Sequence, residues 1–227
     1  MRMFMLTSTL PRFSGDMQAN FVGEQAEAWL GARGDDEIDV LAPDDLEAPG
    51  VEDHGRLRVT RFRYFWPAAL QKLAYPAIMP NIKRDPLLIL QLPFFLAAQY
   101  AAAARLIRER RIDLVYAHWL APQGITAWYL YRRFGLPFVL QNHSSDLAIF
   151  GKLGAPGRWM ARLLLENCTR FPVPTRPQSA RPLRWARKTM SILPEGTRKT
   201  IYVLAEEELD RHDQFDAASG HGPGRPG

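Results

Sequence analysis

Short apolar runs alternate with longer stretches whose apolar residues recur at helical spacing, and that alternation leaves few folds open to the chain. Met3 to Ser8 is an apolar run closing in Thr-Ser, which predicts a buried strand. A loop with Pro11, Gly15 and Asp16 follows. Phe21, Val22, Ala26, Trp29 and Leu30 then recur at approximately helical spacing, with Gly31 and Gly34 ending the helix. Ile38 to Ala42 and Leu57 to Phe62 read as second and third strands. The unit then repeats: a helix over about 87–110, a strand from Ile112 to Ala117, a helix from Ile125 to Phe134 stopped by Gly135-Leu136-Pro137, a strand from Phe138 to Gln141 and a helix from Trp159 to Asn167. Strand–helix–strand units with short connections build parallel sheets covered by helices. The expected fold is α/β, a Rossmann-like, doubly wound parallel sheet over about residues 1 to 168.

With 227 residues, 47% of them hydrophobic, the chain can bury one large core and is not wholly disordered. Its one cysteine, Cys168, excludes an internal disulfide and a zinc cluster built from cysteine. Following Leu163, Leu164 and Leu165, it reads as a packed core residue rather than a nucleophile. The first ten residues hold no apolar core of signal-peptide length before Pro11-Arg12, so the cytoplasm is the expected compartment. Beyond Cys168 the character changes: Arg170 to Arg187 carries five arginines and four prolines, which oppose both strand and helix. Met190 to Leu193 can supply one more strand before Pro194-Glu195-Gly196. Residues 197 to 227, acidic and then rich in Gly and Pro, are expected to be a disordered tail.

Charge is segregated. Asp35 to Asp53 contains nine acids and no Lys or Arg, whereas Arg56 to Arg111 contains eleven basic residues against Asp85 and Glu109. The basic excess suggests anionic partners, such as phosphates, nucleotides or acidic lipid heads, or else a solvated basic face. No helix-turn-helix, zinc finger or aromatic single-strand motif accompanies it, so nucleic acid is not an expected partner. Leu87 to Ala104 is 18 uncharged residues, the lower limit for a membrane span. Gln91, Pro93 and Gln99 lower its hydrophobicity, and a crossover helix packed on the sheet is the leading reading. Peripheral contact with an anionic membrane comes next, because Phe94, Phe95 and Tyr100 lie near Lys83, Arg84 and Arg105.

In an open parallel sheet the ligand crevice lies beyond the carboxyl ends of the strands. After the first run stand Thr7, Ser8, Pro11, Arg12, Phe13, Ser14, Gly15 and Asp16; a glycine loop before a helix can bring backbone N–H groups to an anion, and a plain loop fits equally. No G-x-G-x-x-G follows the first strand, which argues against a dinucleotide oxidoreductase, and no G-x-x-x-x-G-K-[ST] occurs, which argues against a P-loop NTPase. The Ile112 run ends in His118 and Trp119, followed by Pro122, Gln123 and Gly124. These two rings either wall a sugar site or simply pack the turn. The Phe138 run ends in Gln141, Asn142, His143, Ser144, Ser145 and Asp146, the densest polar cluster in the chain. An imidazole three residues from a carboxylate in a turn can polarise a hydroxyl or a phosphate, and Ser144, Ser145 or Asp146 can also cap a helix.

Taken in order, LPRFSGD, RVTRFRYFWP, DLVYAHWLAPQG, GLPFVLQNHSSD and ILPEG resemble the N-terminal domain of retaining glycosyltransferases of family 4, over about residues 3 to 196. The resemblance implies a GT-B fold, in which two Rossmann-like domains face each other across a cleft. The N-terminal domain takes the acceptor, a glycan or a lipid-linked glycan, and the C-terminal domain takes the nucleotide-sugar donor. It implies His143 and Asp146 as the catalytic positions. Gly15, Asp16, His118, Trp119, Asn142, Ser144 and Ser145 are then substrate-side positions, Gly15 facing the donor phosphates. No metal and no further cofactor are implied, since side chains and helix N-termini stabilise the departing nucleotide diphosphate.

The chain departs from the family pattern at Ser144, where glycine is usual, and across Arg170 to Pro182, which makes 169–196 a degraded edge of the domain. No pair of glutamates eight positions apart follows Glu195 to hold a donor. The expectation is therefore the front half of such an enzyme, incomplete without a donor domain that a separate coding region can supply. The alternatives are a non-catalytic module binding an acceptor or a partner, and a different Rossmann-like nucleotide-binding enzyme. The chain is expected in the cytoplasm or peripherally at the inner membrane face.

Overall fold

The computed structural model describes residues 1–13, 15–16, 20–141, 146–169, 173–174 and 203–204, with the backbone alone at 146–148, 173–174 and 203–204. Among them the main sheet has six strands: β1 (Arg2–Leu6), β2 (Glu37–Pro43), β3 (Val51–His54), β4 (Leu57–Phe62), β5 (Leu114–His118) and β6 (Phe138–Gln141), in the order β3-β4-β2-β1-β5-β6. Except for the β3–β4 ladder, the pairings are parallel; Leu6 stands opposite Leu41 on one side and Ala117 on the other. The doubly wound α/β expectation is met, with one correction. The sheet is mixed, because β3 runs antiparallel at the edge. It escaped the sequence pattern because it is Val-Glu-Asp-His, polar and largely exposed, with no apolar face. What makes it is a hairpin turn: Gly55 sits at φ +75° and its N–H donates to Asp53 Oδ1 at 3.0 Å.

Alternation along β1 supplies both cores. Phe4 and Leu6 point into the layer holding α3 (Leu92–Glu109), α4 (Ile125–Phe134) and α6 (Gly154–Asn167); Met3 and Met5 point to the other face, under α1 (Asn20–Ala32). α1 docks through Val22, Ala26 and Leu30, four residues apart. α4 ends at Gly135, whose φ of +70° lets its N–H close on the Tyr131 carbonyl. α3 is long and apolar enough, with the 3-10 turn before it, to cross a membrane by length and composition. It packs on the sheet instead, as a crossover helix, through Phe95, Gln99, Ala103 and Leu106. Burying Phe95 alone contributes about 2–3 kcal/mol. Cys168 is buried, with its thiol directed to the Leu165 carbonyl.

The charge segregation is largely settled inside the fold. Arg58 pairs with Asp53, Arg61 with Glu52 at 3.0 Å, Arg63 with Asp44 at 3.2 Å, and Arg110 with Asp39. The basic strand β4 and the acidic β2–β3 segment are neighbours, so much of the basic excess faces the protein's own acids.

Between β4 and α3 the chain makes a compact insertion containing α2 (Ile78–Arg84). Tyr64 organises it. Its hydroxyl accepts from the N–H groups of Leu73 and Ala74, each at 3.1 Å, and Asn81 Nδ2 is shared among the carbonyls of Lys72, Leu73 and Tyr75. Beyond the main domain, the described residues include β7 (Val173–Pro174) paired in parallel with β8 (Val203–Leu204). The other residues of the expected degraded edge and tail lie outside the described residues, Thr169 apart.

Burial pushes the Tyr64 hydroxyl up to about 12. The folded state therefore keeps its proton where the unfolded chain, near 10, begins to lose it, and this stabilising contribution is present below pH 10 and fades between about 10 and 12. Tyr64→Phe removes the acceptor of two buried N–H groups and is expected to cost about 1–3 kcal/mol at neutral pH. Urea titrations should show the gap between wild type and variant narrowing above pH 10.

Candidate functional site

From β1 the chain passes by α1 to β2 on one side, and it later returns through α3 to β5 on the other. The carboxyl ends of β1 and β5 are therefore the topological switch point, where open α/β sheets hold ligands. Three described segments reach this rim beside the end of β6: the loop after β1, the turn after β5 and the start of the β4–α3 insertion.

The turn after β5 is tightly specified. Trp119 lies at φ +69°, ψ 147°, a conformation costly for a non-glycine residue. Two backbone hydrogen bonds hold it there: its N–H donates to the Gln141 carbonyl at 3.0 Å, and its carbonyl accepts from Gly124 N–H at 3.2 Å. A wide helical turn, Leu120–Gly124, follows. At Gly124 a Cβ would stand 2.8 Å from Leu140 Cδ2, so glycine lets this turn lie against β6.

Gln123 closes the switch point. It is fully buried; with its amide oriented to satisfy both neighbours, it donates to the His118 carbonyl at 3.0 Å and accepts from Ser8 N–H at 2.9 Å. It thereby joins the two strand ends where the chain parts. Beneath it, Thr126 Oγ1 donates to Gln99 Oε1 at 2.8 Å, and Gln99 Nε2 reaches the Thr7 carbonyl at 3.5 Å. On the opposite face Gln25 of α1 donates to the Tyr116 hydroxyl at 3.1 Å, which donates to Gln141 Oε1 at 2.8 Å. The polar rim is thus cross-linked to helices on both faces of the sheet.

His118 and Trp119 are brought together, with ring centroids 6.0 Å apart and both rings against Phe21. Their exposures differ. His118 is fully buried, also against Tyr116, whereas Trp119 is half-buried. Trp119 is therefore the ring of the pair that reaches solvent, while His118 is enclosed.

Gly15 lies at φ +90° and is exposed, with open space around it. Asp16 turns inward, where its Oδ2 accepts from both the backbone N–H (3.0 Å) and the guanidinium (2.8 Å) of Arg12. This hydrogen bond, the largest influence on Arg12, raises its pKa above the ordinary value. Arg12 also reaches Glu47 at 3.0 Å, and Arg61 donates to the Pro11 carbonyl at 2.6 Å. These arginines fasten the loop to the β2–β4 side of the sheet. An open groove of about 260 Å³ adjoins it, lined by Arg12, Asp45, Glu47 and Gln71 among others.

Asn142, His143, Ser144 and Ser145 lie outside the described residues, between the end of β6 and α5 (Asp146–Lys152), as does the side chain of Asp146. Gln141, directly before them, is opposite His118. α5 is pressed onto α6 at Gly157, where a Cβ would come within 2.1 Å of the Phe150 carbonyl oxygen. Among the described residues no three of His, Cys, Asp or Glu gather to hold a metal ion.

Sequence reasoning pointed to the strand ends but not to the supports. Gln25, Gln99 and Thr126 carried no local motif, and Arg61, inside the RVTRFRYFWP segment, was not singled out. The nearest signal was Gln99, a polar residue four positions from Phe95 and Ala103 on the apolar side of α3.

The fold is an α/β domain whose polar strand ends meet at a topological switch point, and comparison with known proteins specifies its class. A model of the glycosyl transferase 4-like domain matches residues 18–187, and the chain belongs to that family. Among solved structures, sucrose-phosphate synthase from Thermosynechococcus elongatus has the same fold, with a TM-score of 0.55 and 15% identity over 96% of this chain and 97% of the other. A search of the curated proteins finds no match.

Two substitutions test the construction of the rim. Gln123→Leu keeps the volume but removes the bond to each strand end, and should cost about 1–3 kcal/mol by urea denaturation with little change in slope. Gly157→Ala sets a side chain against a backbone carbonyl that cannot rotate away. It should cost about 2–3 kcal/mol by the same assay, a large overpacking penalty.

Proposed function

We propose that this chain is the acceptor-side domain of a glycosyltransferase, which in the intact enzyme transfers a hexosyl group from a nucleotide-sugar to a glycan or lipid-linked acceptor. The observation that carries the reading is the half-buried Trp119 ring at the switch point, backed by His118 and Phe21 and held by backbone bonds to β6. A fixed aromatic face beside hydrogen-bonding groups suits a sugar ring, which presents C–H on its faces and hydroxyls at its edges. Family membership supports the same reading.

In this proposal His143 and Asp146, following β6, act on the transferred sugar, with Asn142, Ser144 and Ser145 beside them. The Gly15 loop faces the donor phosphates, and the bond from Arg12 to Asp16 keeps that loop closed. The proposed location is the cytoplasm, with no cofactor beyond the donor.

Calorimetry against a panel of free glycans should identify a ligand whose dissociation constant rises on the order of tenfold in Trp119→Ala. The 227-residue chain, incubated with that glycan and nucleotide-hexoses, should give negligible transfer. Robust transfer lost in His143→Ala would show that these residues suffice for catalysis. Absence of any glycan affected by Trp119→Ala would overturn the acceptor-side reading.

A further inference from the structure

The insertion between β4 and α3 leaves apolar side chains in water. Trp66 is 81% exposed, Leu87 73% and Leu90 66%, and Leu70, Ile89 and Phe94 are exposed as well. Two contacts tie together the segments that carry them. Phe65 packs edge-on against Phe94 at 5.5 Å, which sets Trp66 beside the start of α3, and Gln91 Nε2 donates to the Leu70 carbonyl at 2.8 Å, which sets Leu70 beside Leu90. The insertion is rigidly held from within, by Tyr64, Asn81 and Gln91, so its apolar residues are outside by construction and not through looseness. Large exposed apolar patches on a folded domain mark interaction surfaces.

We propose that this surface, residues 63–94, docks on an anionic lipid bilayer. Charge selects that occupant. The exposed Lys72, Lys83 and Arg84 lie in the same insertion, with Asp85 its one acid, and Asp85 caps the turn that begins at Leu87 by accepting from its N–H at 3.1 Å. A second copy seated face to face would bring these cations against themselves. A bilayer meets both features, with Trp66 and the leucines entering the interface and the cations facing acidic headgroups.

Geometry adds a consequence. β4 ends and α3 begins at the carboxyl rim of the sheet, so the insertion and the switch-point crevice share one edge of the domain. Resting on the acceptor-side reading above, this placement favours an acceptor carried by the bilayer itself. The docking does not depend on that reading.

Co-sedimentation of the full chain with vesicles of phosphatidylglycerol and phosphatidylcholine, or of phosphatidylcholine alone, tests the proposal. Binding should be at least tenfold stronger to the anionic vesicles. It should weaken between about 0.1 M and about 1 M salt, as the screening length falls from about 10 Å to about 3 Å. Lys83→Glu with Arg84→Glu should weaken it at least tenfold, at roughly fivefold for each charge lost and more for reversal. Trp66→Ser with Leu90→Ser should do the same while preserving near-UV circular dichroism, since both side chains are exposed. Equal binding to both vesicle types, or retention of binding in either double variant, would overturn the proposal. So would failure to bind vesicles by a chain that dimerises in sedimentation velocity and is dispersed by Leu90→Ser, which would assign the patch to a second copy. Free-glycan binding is measured without vesicles, so either result can fail while the other stands.

Discussion

β1 has neither a free edge nor a free face. It pairs in parallel with β2 and β5, and Met3, Phe4, Met5 and Leu6 are each no more than 1% exposed. A strand so enclosed must be apolar at its buried positions, Met3 to Leu6, and its neighbours can be reached only by crossovers that leave in opposite directions. The rest follows from that constraint. Two crossovers part at the end of β1, and the parting makes a crevice. The first polar residues after the strand, Thr7 and Ser8, arrive there with backbone groups that need partners.

Those partners come from far along the chain. Gln123 answers Ser8 and Gln99 answers the Thr7 carbonyl, each roughly a hundred residues away. In a buried setting a paired amide rigidifies its surroundings, whereas an unpaired one is costly. The rim is therefore stiff where the two halves of the sheet meet, and Trp119 can be held in a backbone conformation that it would not choose alone. A fixed aromatic at a switch point is the feature on which the proposed sugar-binding role rests.

Electrostatics illustrates the gap between a count and a structure. Segregated charges along a chain suggest an external partner, but β4 lies beside β2 and β3, so Arg58, Arg61 and Arg63 meet Asp53, Glu52 and Asp44. The pairs at the surface contribute little to stability. What they do is remove these arginines from the pool open to a ligand. Of the cations left exposed, Lys72, Lys83 and Arg84 stand in the β4–α3 insertion that also carries Trp66 and Leu90, while others, Arg108, Arg111, Arg132 and Arg133 among them, lie elsewhere on the surface.

The sequence by itself determined the strands and helices that have a strong period. The spans of β4, α4 and β6 follow directly from the runs Leu57 to Phe62, Ile125 to Phe134 and Phe138 to Gln141, because burial on one or both faces imposes apolar spacing that any reader can detect. It also determined that the polar residues worth attention follow the strands, and its ordered motifs led to the family. β3 stayed hidden because an exposed edge strand is under no such demand. Only the tertiary structure decided which of two adjacent aromatics reaches solvent. Both rings lie against Phe21, yet His118, the last residue of β5, is fully buried and also meets Tyr116, while Trp119 in the turn that follows stays half-buried. It alone decided the roles of Gln99 and Gln123 as well. A buried amide is defined by the partners that reach it, and those are set by how distant segments pack, not by the residues beside it in the chain.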